Sequence, residues 1–232
     1  DAVPIVDILR EEFGVTVTLQ NDANACALVE WMIGAGRGTR NMIFLTFGTG
    51  MGAGLILDGR LYSGTNDLGG EAGHIRLADT GPIGFGKAGS FEGFCSGGGI
   101  AQLARQTVAD KLKQNEIVCF CPVPEAIDSI TAKTVAEYAM KGDPVAKQII
   151  EISATYLGKG LAILIDILNP ECIVIGSIYS RNEGLFKPIM MKVLSEEAIP
   201  SALEVCRIVP AELGEKTGDY AALCVAVYQD KF

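Results

Sequence analysis

The 232-residue chain is poor in basic side chains, with 19 Lys and Arg against 28 Asp and Glu and a net charge of −9. It contains no lysine/arginine block. Nucleic-acid backbones are bound by clustered cations, so the composition speaks against a nucleic-acid surface on this portion. No apolar run is read as approaching a membrane span, and there is no signal-peptide pattern. The P-loop pattern G-x-x-x-x-G-K-[ST] is absent, and no glycine cluster makes a Rossmann fingerprint. Low-complexity segments and short-period repeats are absent too. The chain opens without Met and reads as entering mid-fold, so a fragment is expected.

Cysteine is not scarce. Seven are present, at 26, 95, 119, 121, 172, 206 and 224. Their odd number, scatter and mostly apolar surroundings favour buried, reduced thiols in a cytoplasmic protein over a disulfide framework. Cys119-Phe120-Cys121 is too closely spaced for an ordinary zinc pair and has no second pair nearby. Apolar residues make up 49% of the chain, enough for one large domain or two small ones with real cores.

Helical and strand patterns alternate along the chain, which sets the class as α/β. Helices are expected over 4–13 (stopped by Gly14), 25–33, 100–113 (capped by Ser96), 131–140, 144–168, 184–194 and 218–228. Pro144 suits the first helical position, and Asn169-Pro170 ends that long helix. Strands are expected over 15–19, 42–47, 55–57, 172–175 and 205–209.

The densest chemistry lies between Asn41 and His74. An apolar strand enters a turn built from Gly48, Thr49, Gly50 and Gly52, and a second strand leaves it. Glycine allows consecutive backbone N–H groups to point at an anion, so the turn reads as a phosphate-holding loop. A G-T-G turn also serves hairpins for purely steric reasons. The polar run that follows, with Asn66, Asp67, Glu71 and the single histidine, His74, suits the hydroxyls of a neutral polyol.

Two further carboxylates stand out. Asp22 follows Asn21 where a strand hands over to a helix, the edge at which open α/β folds bind ligands. It reads either as a helix N-cap, or as a base that takes a hydroxyl proton while Asn24 caps. Glu92 lies between Phe91 and Phe94, where it must meet a backbone donor or a ligand hydroxyl.

Asn21-Asp22-Ala23-Asn24, the run LTFGTGMGAGLILDGRLYSGTNDLGGEAGH, Glu92 with Ser96-Gly97, NPECIVIGS at 169–177 and LGEKTGDYAAL near the end resemble the ROK family. These are bacterial sugar kinases and sugar-responsive repressors. The resemblance implies an actin/hexokinase-like (ribonuclease H-like) α/β fold of two domains, mostly the C-terminal one here. Residues 1–38 would close the small N-terminal domain, 39–215 form the large C-terminal domain, and 216–232 be a helix returning to the N-terminal domain. It implies ATP and Mg²⁺, with Asp22 as catalytic base. It makes Asn21, Glu71, His74 and Glu92 sugar ligands, and Gly48, Thr49, Gly50, Gly176 and Ser177 nucleotide contacts. Phosphoryl transfer to a hexose is the implied reaction, with a repressor whose DNA-binding domain lies outside this chain as the alternative. A homodimer is implied as well, with an exposed apolar face on the 100–113 helix as one candidate contact.

Three departures carry consequences. Family members commonly hold zinc with the histidine of E-x-G-H and a C-x-C-G-x-x-G-C-x-E pattern. Aligned on Glu92, those cysteine positions hold Ile83, Phe85 and Ser90, so a metal-free loop packed by Phe85 and Phe91 is expected. The first phosphate loop, D-x-G-G-T, is absent from these residues. The adenosine edge, usually two or three glycines, here continues from Gly176 into Ser177 and Ile178.

Overall fold

A computed structural model describes residues 3–229. Helix α1 (Ile5–Phe13) ends at Gly14 in the left-handed conformation, as its glycine stop predicts, and buries no residue. Helix α2 (Asp22–Ile33) leads into strands β1 (Met42–Leu45), β2 (Ala53–Leu57) and β3 (Arg60–Tyr62). A two-residue-per-strand hairpin, β4 (Ile83–Gly84) and β5 (Lys87–Ala88), precedes the short α3 (Phe91–Cys95). Then come α4 (Gly97–Lys113), α5 (Ala132–Met140), α6 (Pro144–Leu168), β6 (Cys172–Ile175), α7 (Ile178–Glu197), α8 (Pro200–Val205), β7 (Arg207–Pro210) and α9 (Thr217–Gln229).

The main sheet runs β3-β2-β1-β6-β7. β2 lies antiparallel to β1, whereas β6 lies parallel to it in register, Met42 opposite Cys172 and Leu45 opposite Ile175. Successive strand side chains point to opposite faces. Ile43, Leu45, Ile173 and Ile175 therefore enter the larger core with α3, α4, α6 and α7. Met42, Phe44, Cys172 and Val174 enter the smaller one with α2 and α9. Gly54 in β2 is required here, because a β-carbon on it would stand 2.4 Å from the Ala23 carbonyl oxygen of α2. That close approach of helix to sheet brings the start of α2 beside the ends of β1 and β6.

Side-chain caps account for most helix starts. Ser90 accepts from Gly93 N, Ser96 from Gly99 N, Thr131 from Thr134 N and Asp143 from Ala146 N. Several expectations need correction. Val15–Leu19 has the alternation of a strand but pairs with none among the described residues, and Leu19 is 71% exposed. Without a ladder partner, alternation alone does not make a strand. Helix α6 has the length and mean hydropathy (1.3) of a membrane span, contrary to expectation, yet 61% of that window is buried inside the protein. The apolar face of α4 (Ile100, Ala104, Val108) is turned into the core rather than exposed. Cys119 is exposed; the other thiols are buried or half-buried. Burial pushes the Cys26 thiol up to about 11 and Cys206 to about 12, so both stay protonated and inert.

Candidate functional site

Strands β1 and β6 are parallel neighbours, so the turns after them lie side by side. Gly176 N donates to Leu45 O at 3.0 Å and Ile178 N to Phe47 O at 2.9 Å, which extends the pairing into the loops. A cleft of about 470 Å³ opens at this edge. Its walls include Asn21 and Asp22, the 48–52 loop, Asp67, Gly69 to Glu71, Glu92 and Ser177.

The glycine loop is held from behind. Gly97 N and Gly98 N, the first amides of α4, donate to the carbonyls of Gly48 and Thr49 at 2.7 and 3.4 Å. Thr46 closes its base: the Oγ1 accepts from Gly52 N at 2.7 Å. Met51 N donates to Glu92 Oε2 at 3.0 Å. Among the described residues, the amides of Thr49 and Gly50 meet no acceptor. Adjacent unpaired N–H groups in a glycine turn at a cleft are what an anion requires, so the loop fits one side of a nucleotide's phosphate chain.

Helix α2 supplies the carboxylate. Its cap is Asn21, whose Oδ1 accepts from Ala23 N at 2.9 Å and Asn24 N at 3.2 Å. Neither Asp22 nor Asn24 is the cap, although the sequence left those two alternatives open. Asp22 occupies the first helical position, touches Ala23 N through Oδ1 at 2.8 Å, and lies exposed on the cleft wall. The Asn21 amide N–H₂ meets no acceptor among the described residues.

The polar loop is pinned to β2 by Ala53 N, which donates to Gly70 O at 2.8 Å. Gly70 has φ 97°, and a β-carbon there would stand 2.1 Å from Ala53 O, so only glycine fits. Glu71 faces the cleft. His74 does not line it: the ring is exposed and meets Phe85 edge-on at 6.1 Å. Gly176 is buried behind the cleft, with its Cα facing Phe44. Thr46 and Asp67 are wall residues that sequence reasoning did not assign. Asp67 had a signal, a carboxylate inside the polar run; Thr46 sits at a strand end with none.

The loop over 75–96 has no metal-ligand set. Ile83 and Phe85 offer no donor, and the Ser90 hydroxyl is already used, on Gly84 O and Gly93 N. Zinc does not fit there. The packing differs from expectation: Phe91 is fully buried, but Phe85 is 85% exposed, held outward at the hairpin tip with φ 44°. Polar pins hold the loop instead. Gln102 bonds both the N–H and the C=O of Ile83, at 3.0 and 2.8 Å. Lys87 Nζ donates to His74 O, and Arg76 to Ala88 O, each at 2.7 Å.

Comparison with known proteins bears on the family and the fold. The sequence pattern of the ROK family matches residues 1–227. The chain is 35% identical to the glucokinase of Halalkalibacterium halodurans over 93% of its length, spanning 64% of that relative. It is 31% identical to the transcriptional dual regulator NagC of Escherichia coli, covering 92% of this chain and 50% of the regulator. Among solved structures, a ROK transcriptional regulator homologous to E. coli MLC superposes with TM-score 0.82 at 28% identity, covering 97% of this chain and 56% of that one. A ROK glucokinase from Streptomyces griseus with glucose and AMPPNP superposes with TM-score 0.78 at 30% identity, covering 94% and 70%. The fold is the actin/hexokinase-like α/β fold of these proteins. With a family pattern over nearly all its length and relatives among both kinases and regulators, the chain belongs to the ROK family.

Proposed function

We propose that the protein is an ATP-dependent hexose kinase of the glucokinase type, with sugar and nucleotide meeting in the 470 Å³ cleft. The observation that carries the reading is that Asn21 caps α2, while Asp22 faces the same cleft as the unpaired amides of Thr49 and Gly50. A carboxylate opposite an anion-holding loop is the pairing that phosphoryl transfer to a hydroxyl needs. In this reading Asn21, Glu71 and Glu92 orient the sugar from the cleft wall, and the family role of His74 requires its ring to turn in from outside that wall. Glu92, tied through one oxygen to Met51 N, would also couple sugar and phosphate loops. Asp22 takes the hydroxyl proton as the sugar oxygen bonds to the γ-phosphorus and the bond to the ADP oxygen breaks. Gly48, Thr49, Gly50, Gly176 and Ser177 form the nucleotide edge. ATP supplies the phosphoryl group, and Mg²⁺ bound to its phosphates would offset their charge. A second phosphate clamp is expected outside these residues.

The test is turnover of a hexose panel with ATP-Mg²⁺ by the full-length protein, with Asp22→Asn alongside. Equal rates for the two would remove the base and with it the kinase reading. The second reading, a sugar-responsive repressor, is favoured by the likeness to the regulator at TM-score 0.82. A D-x-G-G-T loop in the preceding sequence selects the kinase; a helix-turn-helix there selects the repressor. The division at 1–38, 39–215 and 216–232, a homodimer and a cytoplasmic location belong to the same proposal. The unburied α1 is consistent with that division, while α2 and α9 pack together on the sheet.

A further inference from the structure

Ser177 holds a backbone conformation that suits glycine. It has φ 55° and ψ −114°. Among the described residues, five other non-glycine residues have positive φ: Asp58, Asp67, Asn115, Asn169 and Phe85. The four Asp and Asn residues tolerate that region best; a serine there carries strain that the surrounding structure must hold in place. The chain gains nothing local from the hydroxyl in return. Ser177 stands at the N-cap of α7, where a serine ordinarily accepts an amide bond, yet its side chain makes none. Its carbonyl, not its hydroxyl, is used, accepting from Ser180 Oγ at 2.9 Å.

The position explains what the hydroxyl is free for. Ser177 lines the 470 Å³ cleft and also a second groove of about 510 Å³, and Gly48 and Thr49 are shared in the same way. The second groove is walled by Arg105, Lys133 and Arg181, with the first residues of α4 and α5. A β-carbon on Gly48 would lie 3.6 Å from Ser177 Oγ, so the hydroxyl and the glycine loop face each other across the seam. A polyanion running from the cationic groove into the cleft crosses this seam, because both cavities share Gly48, Thr49 and Ser177.

We propose that the Ser177 hydroxyl donates a hydrogen bond to a phosphate oxygen of the nucleotide at this seam, opposite the free amides of Thr49 and Gly50. The backbone strain at 177 is retained for that bond. The inference rests on the kinase reading and adds a specific donor to it.

Ser177→Gly and Ser177→Ala separate strain from hydroxyl in the full-length protein. Glycine relieves the strain and removes the donor. Its Tm should rise by about 3–8 °C, while KM for ATP rises about 10-fold or more and KM for the hexose stays within about 2-fold. Alanine removes the donor only, so KM for ATP should rise similarly with Tm within about 2 °C of wild type. An unchanged KM for ATP in both variants overturns the proposal, as does a Ser177→Gly protein no more stable than wild type. Wild-type protein that neither turns over a hexose nor binds ATP in a calorimetric titration overturns the kinase reading, and the Ser177 donor with it.

Discussion

The cleft and the joint around residues 34–41 are built from the same pieces, carboxylates and backbone amides, and use them differently. At the joint, Glu30 is fully buried, and its oxygens accept from Ala35 N, Glu212 N and Leu213 N at 2.8, 3.3 and 3.1 Å. Glu171 beside it takes Arg40 N and Asn41 N at 2.6 and 2.8 Å. In the cleft, Glu92 takes a single amide, Glu71 takes none, and Thr49 and Gly50 have amides with no acceptor. A buried polar group left unmade costs free energy, so structural carboxylates are saturated. Groups reserved for a ligand keep spare capacity and stay where water can reach them until the ligand arrives. Saturation thus separates architecture from function where residue type does not.

Substitutions that respect or violate this division should sort cleanly. The largest effect is expected from Asp22→Asn, a fall in kcat of about 10²–10⁴ with urea stability nearly unchanged, because Asn21 rather than Asp22 caps the helix. Steady-state kinetics beside a denaturation curve tests both halves. Next comes Glu30→Ala, which empties a fully buried site and takes the acceptor from the amides of Ala35, Glu212 and Leu213, and should cost about 3–5 kcal/mol in urea unfolding. Glu30→Gln should recover part of that, since its amide oxygen still accepts; equal losses for both would mean the cost is one of volume. Glu171→Ala should cost only about 1 kcal/mol, because the residue is exposed and water can replace it at Arg40 N and Asn41 N. The smallest effect is Gln102→Ala, which loosens the hairpin tip. A rise of about 2–5-fold in KM for the sugar with kcat preserved is expected, since the loss acts on orientation alone. A chelator should leave wild-type loop stability unchanged if Gln102, Lys87 and Arg76 replace a metal; a fall in Tm with EDTA would contradict that.

Much of the fold is legible in residue order, and the reasons are local. Gly14, Ser96, Thr131, Asp143-Pro144 and Asn169 punctuate helices through their own backbone preferences, and the helices begin and end at them. The run 42–45 declares a buried strand by composition. Short elements escaped: β3, the β4–β5 hairpin and α8 each have too few residues for a period to register. The segment 15–19 failed the other way, since its alternation says nothing about whether a neighbour is present to pair with. The polar run holding Glu71 and His74 suggests a polyol by residue type, and the family likeness assigned the two as sugar ligands; Glu71 faces the cleft, whereas the His74 ring lies off its wall.

The sequence by itself determined the alternation of helices and strands, the glycine turn after β1, the polar loop behind it and the loss of cysteines at 83, 85 and 90. These follow from side-chain volume, φ preference and donor chemistry, which each residue carries wherever it goes. Only the tertiary structure decided which groups are saturated. Met51 meets Glu92 across 41 residues, and Glu30 meets Glu212 and Leu213 across 182 and 183. No local pattern encodes such pairs, because they depend on how helices seat against the sheet. The same holds for Ser177, whose strain exists only where β6 ends against the turn that follows β1.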